Sequence, residues 1–451
     1  MQTEFKPELL TKPDFLESEK IIRKCVHCGF CTATCPTYVL LGNELDSPRG
    51  RIYLMKEMLE KDRPATPEIV KHIDRCLSCL SCMTTCPSGV NYMHLVDHGR
   101  AHIEKTYRRP FWDRTIRALL AATLPYRTRF RLALAAALLG KPFKGLFRHV
   151  EALKPVAAML ELAPLRVSGR APEEGPAVFR PRGPRRARVA LLANCAQPVL
   201  APHINEATIR LLNRLGVEVV IARGEGCCGA IVHHMGRDRQ GHELARRNID
   251  AWTREIEGEG LDAIVINVSG CGTAVKDYGF QFRMDPDYRD KAARVSGLAK
   301  DISEFLFALG PMSPTRPTGL TLAYHPACSL QHGQAVRREP KALLQAAGFT
   351  VRDIPESHIC CGSAGTYNIL QPDIAMRLRD RKVENIALAR PDAIATGNIG
   401  CITQIGTGTD IPILHTVELL DWATGGPLPP ALEHAGFGAR LATPSALEAA
   451  E

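Results

Sequence analysis

The sequence predicts a multidomain protein with a helical, cysteine-rich amino-terminal domain, a helical linker and two duplicated α/β domains built on parallel sheets. Two cysteine runs lie within the first 105 residues, and a block of alternating strand and helix patterns occurs twice further along the chain. The length of 451 residues also exceeds that of one ordinary domain. The predicted divisions are 1–105, 106–187, 188–310, 318–425 and a loose tail at 426–451.

The two cysteine runs begin at Cys25 and Cys76 and both fit the pattern C-x2-C-x2-C-x3-C-P. Three thiolates at this spacing surround one iron–sulfur cubane, while the fourth, followed by proline, reaches the other cluster. We therefore predict two [4Fe–4S] clusters with crossed ligand sets. The first set is Cys25, Cys28, Cys31 and Cys86, and the second set is Cys35, Cys76, Cys79 and Cys82.

Zinc is the alternative metal for these cysteines, because a single C-x2-C pair is often half of a zinc site. Zinc needs four ligands in all, whereas each run here supplies four and ends in proline, which favours clusters. Cys25 and Cys76 lie 51 positions apart, with helix-forming residues between them at 49–59. That separation favours an α-helical ferredoxin domain over the compact βαβ ferredoxin.

A basic segment separates the two halves of the chain. Between Arg100 and Ala190 there are 20 Lys/Arg and six Asp/Glu, a local excess of +14 in a chain of net charge +9. Such a segment is typical of an element lying on an anionic membrane, of a docking face for an acidic partner or of a solvated linker. The most apolar stretch, Leu119–Leu139, contains Pro125 and three arginines, so we expect no membrane span.

The duplicated part carries cysteines at matched positions. Cys195 and Cys227 are 32 positions apart, as are Cys328 and Cys360, and each repeat contains Cys-Cys-Gly. Because parallel strands end at the same sheet edge, cysteines that follow successive strands are expected to converge. The first predicted group is Cys195, Cys227, Cys228 and Cys271, and the second is Cys328, Cys360, Cys361 and Cys401. Each group is interpreted as a further cluster or redox site, with buried structural thiols as the alternative. His325, His233 and His234 lie near these loops.

Cys-x31-Cys-Cys-Gly, present twice, resembles the CCG cysteine-rich domain of heterodisulfide reductase. Two ferredoxin motifs followed by two such domains resemble the iron–sulfur subunit of glycolate oxidase (glycolate dehydrogenase) over 21–422, and the stretch 46–52 is similar too. The same layout is found in iron–sulfur subunits of anaerobic glycerol-3-phosphate dehydrogenase and of lactate oxidation. The fuller family pattern ends in Cys-x2-Cys, whereas each repeat here has four cysteines rather than five.

The resemblance implies an electron-transfer subunit that is inactive alone. Partner subunits containing FAD would oxidise glycolate to glyoxylate, and a membrane quinone or similar acceptor would receive the electrons. No G-x-G-x-x-G fingerprint follows a strand, and cubanes exchange single electrons, so we expect flavin only on the partner. Without a signal-peptide pattern or a helix-turn-helix, we expect a cytoplasmic chain, peripheral on the inner membrane, with no nucleic-acid partner. The remaining alternatives are a cluster-sensing regulator and a scaffold with inert clusters.

Overall fold

A computed structural model describes residues 1–316 and 318–438. Residues 439–451, half of the predicted tail, lie outside the described part. The amino-terminal domain is helical, and its helices are α1 (Pro7–Leu10), α2 (Pro13–Lys24), α3 (Pro36–Leu41), α4 (Pro48–Glu60), α5 (Pro67–Asp74), α6 (Ser81–Thr85) and α7 (Tyr92–Thr106). The first cysteine run lies between α2 and α3, and the second begins in the loop before α6, continues through α6 and ends just after it. Helices therefore fix both ends of each run.

The amino-terminal core forms where α2, α4, α5 and α7 pack together. Ile22, Met55, Leu59 and Leu95 have no exposed surface and belong to one apolar cluster. Proline occupies the first turn of α4, where its fixed φ is tolerated, and the Ser47 side chain accepts a hydrogen bond from the Gly50 backbone N–H. The core thus holds the cluster-binding loops on rigid elements.

The connecting segment is also helical. Its helices are α8 (Phe111–Thr123), α9 (Arg127–Gly140), α10 (Lys144–Arg148) and α11 (Lys154–Leu162). Within the stretch 167–186, which its Gly, Pro and Arg content predicts to be linker, Ala177–Phe179 forms strand β1 and pairs antiparallel with β3 (Val217–Ile221). Strand pairing, rather than a local sequence signal, makes this part of the linker an edge of the following sheet.

The first α/β domain contains a five-stranded sheet in the order β1-β3-β2-β4-β5, in which every pairing except that of β1 is parallel. Its remaining elements are β2 (Ala187–Leu191), α12 (Gln197–Leu200), α13 (His203–Arg214), α14 (Ala230–His233), α15 (Asp238–Glu257), β4 (Ala263–Ile266), α16 (Ser269–Lys276), α17 (Tyr278–Gln281), α18 (Arg289–Leu298), β5 (Ala299–Asp301) and α19 (Ile302–Leu309).

The second α/β domain contains a parallel sheet in the order β7-β6-β8-β9. Its elements are β6 (Thr321–Tyr324), a π-helical turn (Ser329–Gly333), α20 (Glu339–Ala346), β7 (Thr350–Asp353), α21 (Tyr367–Leu370), α22 (Pro372–Leu388), β8 (Ala393–Thr396), α23 (Ile399–Gly406), β9 (Ile413–His415), α24 (Thr416–Ala423) and α25 (Pro430–His434). Helix α25 lies in the segment predicted to be tail, and its Leu432 is fully buried.

The two repeats share one parallel strand order, since β3-β2-β4-β5 corresponds to β7-β6-β8-β9. The repeats also pack against each other through two pairs of helices: α13 of the first repeat contacts α24 of the second, and α19 of the first contacts α20 of the second. One apolar cluster runs through both domains and includes Val189 of the first repeat and Trp422 of the second. The predicted fold class, a helical cysteine-rich domain followed by duplicated parallel α/β domains, is confirmed.

Candidate iron–sulfur sites

The cluster-binding loops in the amino-terminal domain contain residues in the left-handed backbone region. His27 and Gly29 have φ values of 55° and 86° in the first loop, and Ser78 and Leu80 have φ values of 49° and 61° in the second. These positions curl each C-x2-C-x2-C run, so that thiols spaced by two residues face one side. Each run ends in an extended cysteine, Cys35 before α3 or Cys86 after α6.

Eight cysteines line two adjoining cavities in this domain. The larger cavity is lined by Cys25, Cys28, Cys31 and Cys86, and the smaller cavity is lined by Cys35, Cys76, Cys79 and Cys82. The last cysteine of each run thus faces the cavity formed by the other run. Cys82, Pro48 and Tyr92 line both cavities, so the two sites are neighbours. The crossed ligand sets remain a prediction, and the structure places the last cysteine of each run beside the other run.

The chemistry of the cavity walls suits thiolate-bound clusters. Ile52 and Val90 line the larger cavity, and no acidic side chain lies among the described residues that line either one. Burial raises the pKa of the Cys31 thiol to about 11 and the pKa of Cys82 well above its usual range. Ligation by thiolates therefore releases protons, as expected where metal binding drives deprotonation.

The first repeat brings its four cysteines together at one sheet edge. Cys195 follows β2, Cys227 and Cys228 follow β3, and Cys271 lies in the first turn of α16 after β4. All four are buried, and none is disulfide-bonded. Hydrogen bonds from the neighbouring thiols of Cys227 and Cys271 hold the pKa of Cys228 well below its usual range. This arrangement offers a buried thiolate with thiol neighbours, which suits a thiophilic metal.

The second repeat places Cys328, Cys360, Cys361 and Cys401 in the corresponding positions. The Sγ atoms of Cys328 and Cys360 are 3.6 Å apart. The thiols of Cys360 and Cys401 hydrogen-bond to Cys361 and hold its pKa well below its usual range. Asn398 donates its side-chain N–H to Cys401 Sγ at 3.4 Å. The four cysteines of the second repeat therefore lie together, as those of the first repeat do, and their role as cluster or redox sites remains a prediction.

Comparisons with known families and proteins agree with this layout. A 4Fe-4S dicluster domain family matches residues 21–90, and a cysteine-rich domain family matches 189–276 and 322–406. The glycolate oxidase iron–sulfur subunit of Escherichia coli K12 is 42% identical over 94% of this chain and 99% of the relative. The chain belongs to the family of glycolate oxidase iron–sulfur subunits. It is therefore an iron–sulfur protein.

Other relatives place this glycolate oxidase iron–sulfur family member in a wider group. A probable glycolate oxidase iron–sulfur subunit of Bacillus subtilis is 30% identical over 94% of this chain and 97% of the relative. Lactate utilization protein A of Geobacillus thermodenitrificans is 26% identical but covers 52% of this chain. A hypothetical protein from Helicobacter pylori has a related fold, with a TM-score of 0.53, 9% identity, and coverage of 94% of this chain and 74% of that one.

Two polar side chains beside the cysteines of this family member are not predicted from the sequence motif. The buried Arg51 guanidinium donates to Thr37 Oγ1 at 2.9 Å and to the His72 carbonyl at 2.7 Å, and it lies 3.8 Å from Cys35 Sγ. Tyr92 Oη lies 3.7 Å from Cys76 Sγ. Both donors stabilise negative charge on sulfur. Arg51 does fall within the family-like stretch 46–52, which is the one sequence signal for it.

The amino-terminal domain adjoins both duplicated sites of this family member. Leu77 and Cys360 belong to one apolar cluster, against which Cys79 and Cys328 also pack. Burial, followed by the nearby Cys328, raises the pKa of the Cys79 thiol. The cavity lined by Cys35, Cys76, Cys79 and Cys82 is thus next to the cysteines of the second repeat.

The histidines near the first repeat connect it to α7 of the amino-terminal domain. His234 Nδ1 lies 3.2 Å from Asp97 Oδ1, and His233 Nε2 lies 3.6 Å from Asp97 Oδ2. Burial opposes protonation of His233, but Asp238 and Asp97 raise its pKa to about 10. Asp97, His233, His234 and Cys228 line one cavity. Both of these histidines of the first repeat therefore contact Asp97 of the amino-terminal domain.

Much of the positive charge in the connecting segment is internal. Arg109 and Arg117 are buried and reach Asp74 at 2.6 and 2.9 Å. Burial opposes ionisation of Asp74, but Arg117 and Arg109 keep its pKa below the usual value. Arg131 forms an ion pair with Glu174. Part of the positive charge of this segment therefore lies in internal ion pairs that stabilise the fold.

Apolar side chains, in contrast, are exposed along the same segment. They include Phe111, Trp112, Leu119, Leu132, Leu139, Phe143, Leu146 and Leu165. Among the described residues, none of the helices combines the length and the apolar character needed to cross a bilayer. The segment thus presents a mixed apolar and basic surface.

Proposed function

We propose that this chain carries electrons between a flavin-containing partner, which oxidises glycolate to glyoxylate, and a quinone or other acceptor. The observation that supports this most strongly is the pair of adjoining cavities, each lined by cysteines from both runs. Family membership supports the substrate, since two relatives that match nearly the whole chain are named glycolate oxidase iron–sulfur subunits.

Two [4Fe–4S] clusters would be held by the two crossed cysteine sets. When bound, each supplies one-electron redox chemistry. The chain's own residues would then do two things. The helices keep the two sites in contact through Cys82 and Tyr92, and Arg51 and Tyr92 favour the negative sulfurs by donating to them.

The side of the first site near Cys28 would receive the electrons. Cys28 is exposed, and Val26 and Phe30 beside it are about two-thirds exposed, at 66% and 63%. Exposed apolar residues around a redox site suit a partner surface. The second site adjoins Cys328 and Cys360, so electrons would leave it towards the second repeat. At least one of the duplicated sites would carry electrons beyond the two clusters.

Glycolate oxidation removes two electrons, and iron–sulfur clusters exchange one at a time, so a two-electron cofactor is required. FAD on partner subunits would fill that role. The chain alone would not oxidise glycolate.

Lactate is the second candidate for the substrate of the partner, because several relatives are named lactate utilization protein A. Those relatives match 52% of this chain at 26% identity, which favours glycolate. Glycerol 3-phosphate, inferred from layout alone, is a weaker alternative.

Purification of the native complex under anaerobic conditions tests the proposal. The complex is expected to reduce a quinone analogue with glycolate faster than with lactate or glycerol 3-phosphate, and the isolated chain is expected to show no turnover. If the complex prefers another substrate, that compound replaces glycolate as the proposed substrate. Turnover by the isolated chain would show that it contains an active site of its own.

A further inference from the structure

The two duplicated sites correspond in position but differ in chemistry. Cys195 and Cys328 each follow the first parallel strand of their sheet. Three positions before them lie Leu192 in the first repeat and His325 in the second. Both side chains are buried, at 0% and 1% exposure. The second repeat therefore has a nitrogen donor where the first has an aliphatic side chain.

The His325 ring lacks conventional partners. Among the described residues, neither ring nitrogen has a nitrogen or oxygen hydrogen-bond partner, and the polar group beside the ring is the Cys361 thiol. A buried polar group in that state is costly, so such a group in a folded protein calls for an explanation. A ring nitrogen of His325, Cys361 Sγ and Cys401 Sγ all lie within 4.8 Å of one another. The unpartnered imidazole thus faces two thiols.

Metal coordination explains this arrangement. Imidazole nitrogen and thiolate sulfur together bind zinc, and they also bind iron in clusters where histidine replaces cysteine. Cys328 and Cys360 supply further thiols nearby, 3.6 Å apart. The second repeat thus offers five donors, four sulfurs and one nitrogen, whereas the first offers four sulfurs.

We propose that His325 is a metal ligand together with Cys361 and Cys401. The second duplicated domain would then bind iron or zinc through a mixed imidazole–thiolate set, while the first domain offers thiolates alone. The inference deepens the proposed function, because it assigns a ligand to one of the duplicated sites. It depends on that function only in requiring that this site binds a metal.

The test compares three variants of the full chain with the wild type, all purified anaerobically. His325→Leu introduces the residue found at the matching position of the first repeat, and His325→Cys replaces the imidazole with a thiolate. His358→Leu is the matched control, because His358 is a half-buried histidine of the same domain outside the group of donors. Iron and zinc per chain are measured, with nitrogen coordination followed by pulsed EPR for iron and X-ray absorption for zinc.

The wild type and His358→Leu are expected to contain metal beyond the amino-terminal clusters, with a directly bound nitrogen. His325→Leu should lose the nitrogen signal and bind that metal at least about tenfold more weakly. His325→Cys should keep the metal but lose the nitrogen signal. Iron and zinc are distinguished by the element found, and either supports the assignment.

A His325→Leu chain that keeps the metal with an unchanged spectrum would overturn the proposal, as would a wild type without metal beyond the amino-terminal clusters. The His325→Cys variant keeps the test decisive if His325→Leu fails to fold. Turnover is not measured, so failure of the electron-transfer role would be seen separately, in the assay of the native complex.

Discussion

At the scale of single residues, donors to the cysteine sulfurs are expected to set the redox potential of the amino-terminal clusters. Tyr92 is the clearest case, because its hydroxyl lies 3.7 Å from Cys76 Sγ and its ring is buried between both cavities. Replacement by phenylalanine removes the hydroxyl while keeping the ring.

We predict that Tyr92→Phe lowers the midpoint potential of the cluster bound by Cys76. If the hydroxyl stabilises the reduced cluster by roughly 0.5–1.4 kcal/mol more than the oxidised cluster, its loss lowers the potential by about 20–60 mV for one electron. An EPR-monitored redox titration measures it. Tyr53→Phe is the control, since Tyr53 is exposed in the same domain. An unchanged potential in Tyr92→Phe would show that the hydroxyl does not act on the sulfur.

A second residue-scale effect concerns pH and the contact between the repeats. Glu418 is buried at the start of α24, where it accepts a hydrogen bond from the His415 backbone N–H at 2.8 Å. Burial raises the pKa of Glu418 from 4.5 to about 7. The folded protein therefore keeps a proton that the unfolded chain releases, so stability falls as pH rises from about 4.5 to about 7.

Glu418→Gln removes this loss, because glutamine does not ionise. The difference in the free energy of unfolding, variant minus wild type, should therefore increase across that pH window, by at most about 3 kcal/mol. Other buried acids with raised pKa values, such as Asp301, are present in both proteins and cancel in the difference. Anaerobic denaturant unfolding at pH 5 and pH 8 measures it. A difference that is the same at both pH values would contradict the assignment.

At the scale of elements, the turn after the Cys-Cys pair determines where the thiols lie. Gly362 follows Cys361 with φ of +88°, and a Cβ there would overlap the carbonyl oxygen of Ala375 in α22. Gly229 is in the same position in the first repeat and closely approaches Gly241. Both the backbone conformation and the close approach require glycine.

Gly362→Ala is expected to destabilise the protein by about 2 kcal/mol or more and to reduce metal binding in the second repeat. Gly270→Ala is the matched control, because Gly270 lies in a helix with open space around it, and alanine there should change stability by less than about 1 kcal/mol. Denaturant unfolding and metal analysis measure both. Equal behaviour of the two variants would show that the turn tolerates a side chain.

Some strands can be predicted from the local sequence, and others cannot. Strands β3, β4 and β8 coincide with the short runs Val217–Ile221, Ala263–Ile266 and Ala393–Thr396, which are rich in apolar and β-branched residues and so predict strands locally. Strands β1, β5 and β9 have only three residues each, and β5 is Ala-Lys-Asp. Their stability comes from pairing with a neighbouring strand, which no local pattern reveals.

The same contrast between local pattern and tertiary packing applies to the candidate sites. The cysteine groups can be predicted, because motif spacing and parallel strand ends determine which thiols meet. Arg51 and Tyr92 cannot, since their closeness to Cys35 and Cys76 depends on how α4 and α7 pack. The difference between the repeats at His325 is visible in the sequence, but its significance needs the geometry of Cys361 and Cys401.

At the scale of the whole molecule, we expect the connecting segment to be the surface on which the complex docks. Exposed apolar side chains on α8, α9 and α10 lie among basic residues, a combination typical of elements that lie on anionic membranes. Internal ion pairs of Arg109, Arg117 and Arg131 reduce the free charge of this surface. We therefore propose a peripheral attachment that depends on apolar contacts as well as charge.

The full chain should bind vesicles containing anionic lipid, and high salt should weaken that binding. Leu139→Asp combined with Leu146→Asp should reduce it further, because both side chains are exposed, at 80% and 67%. Leu388→Asp is the control, as an exposed leucine in the second repeat. Vesicle co-sedimentation measures the binding. Absence of binding at low salt would assign the surface to a protein partner instead.

The most direct test of the central claim is EPR spectroscopy of the anaerobically purified native complex, frozen after addition of glycolate, together with its iron content. We expect at least about eight irons per chain and signals from two reduced [4Fe–4S] clusters. Cys28→Ser and Cys79→Ser should each remove the signal of a different cluster, because these cysteines line different cavities. Stoichiometric zinc without iron, or clusters that glycolate does not reduce, would contradict the account.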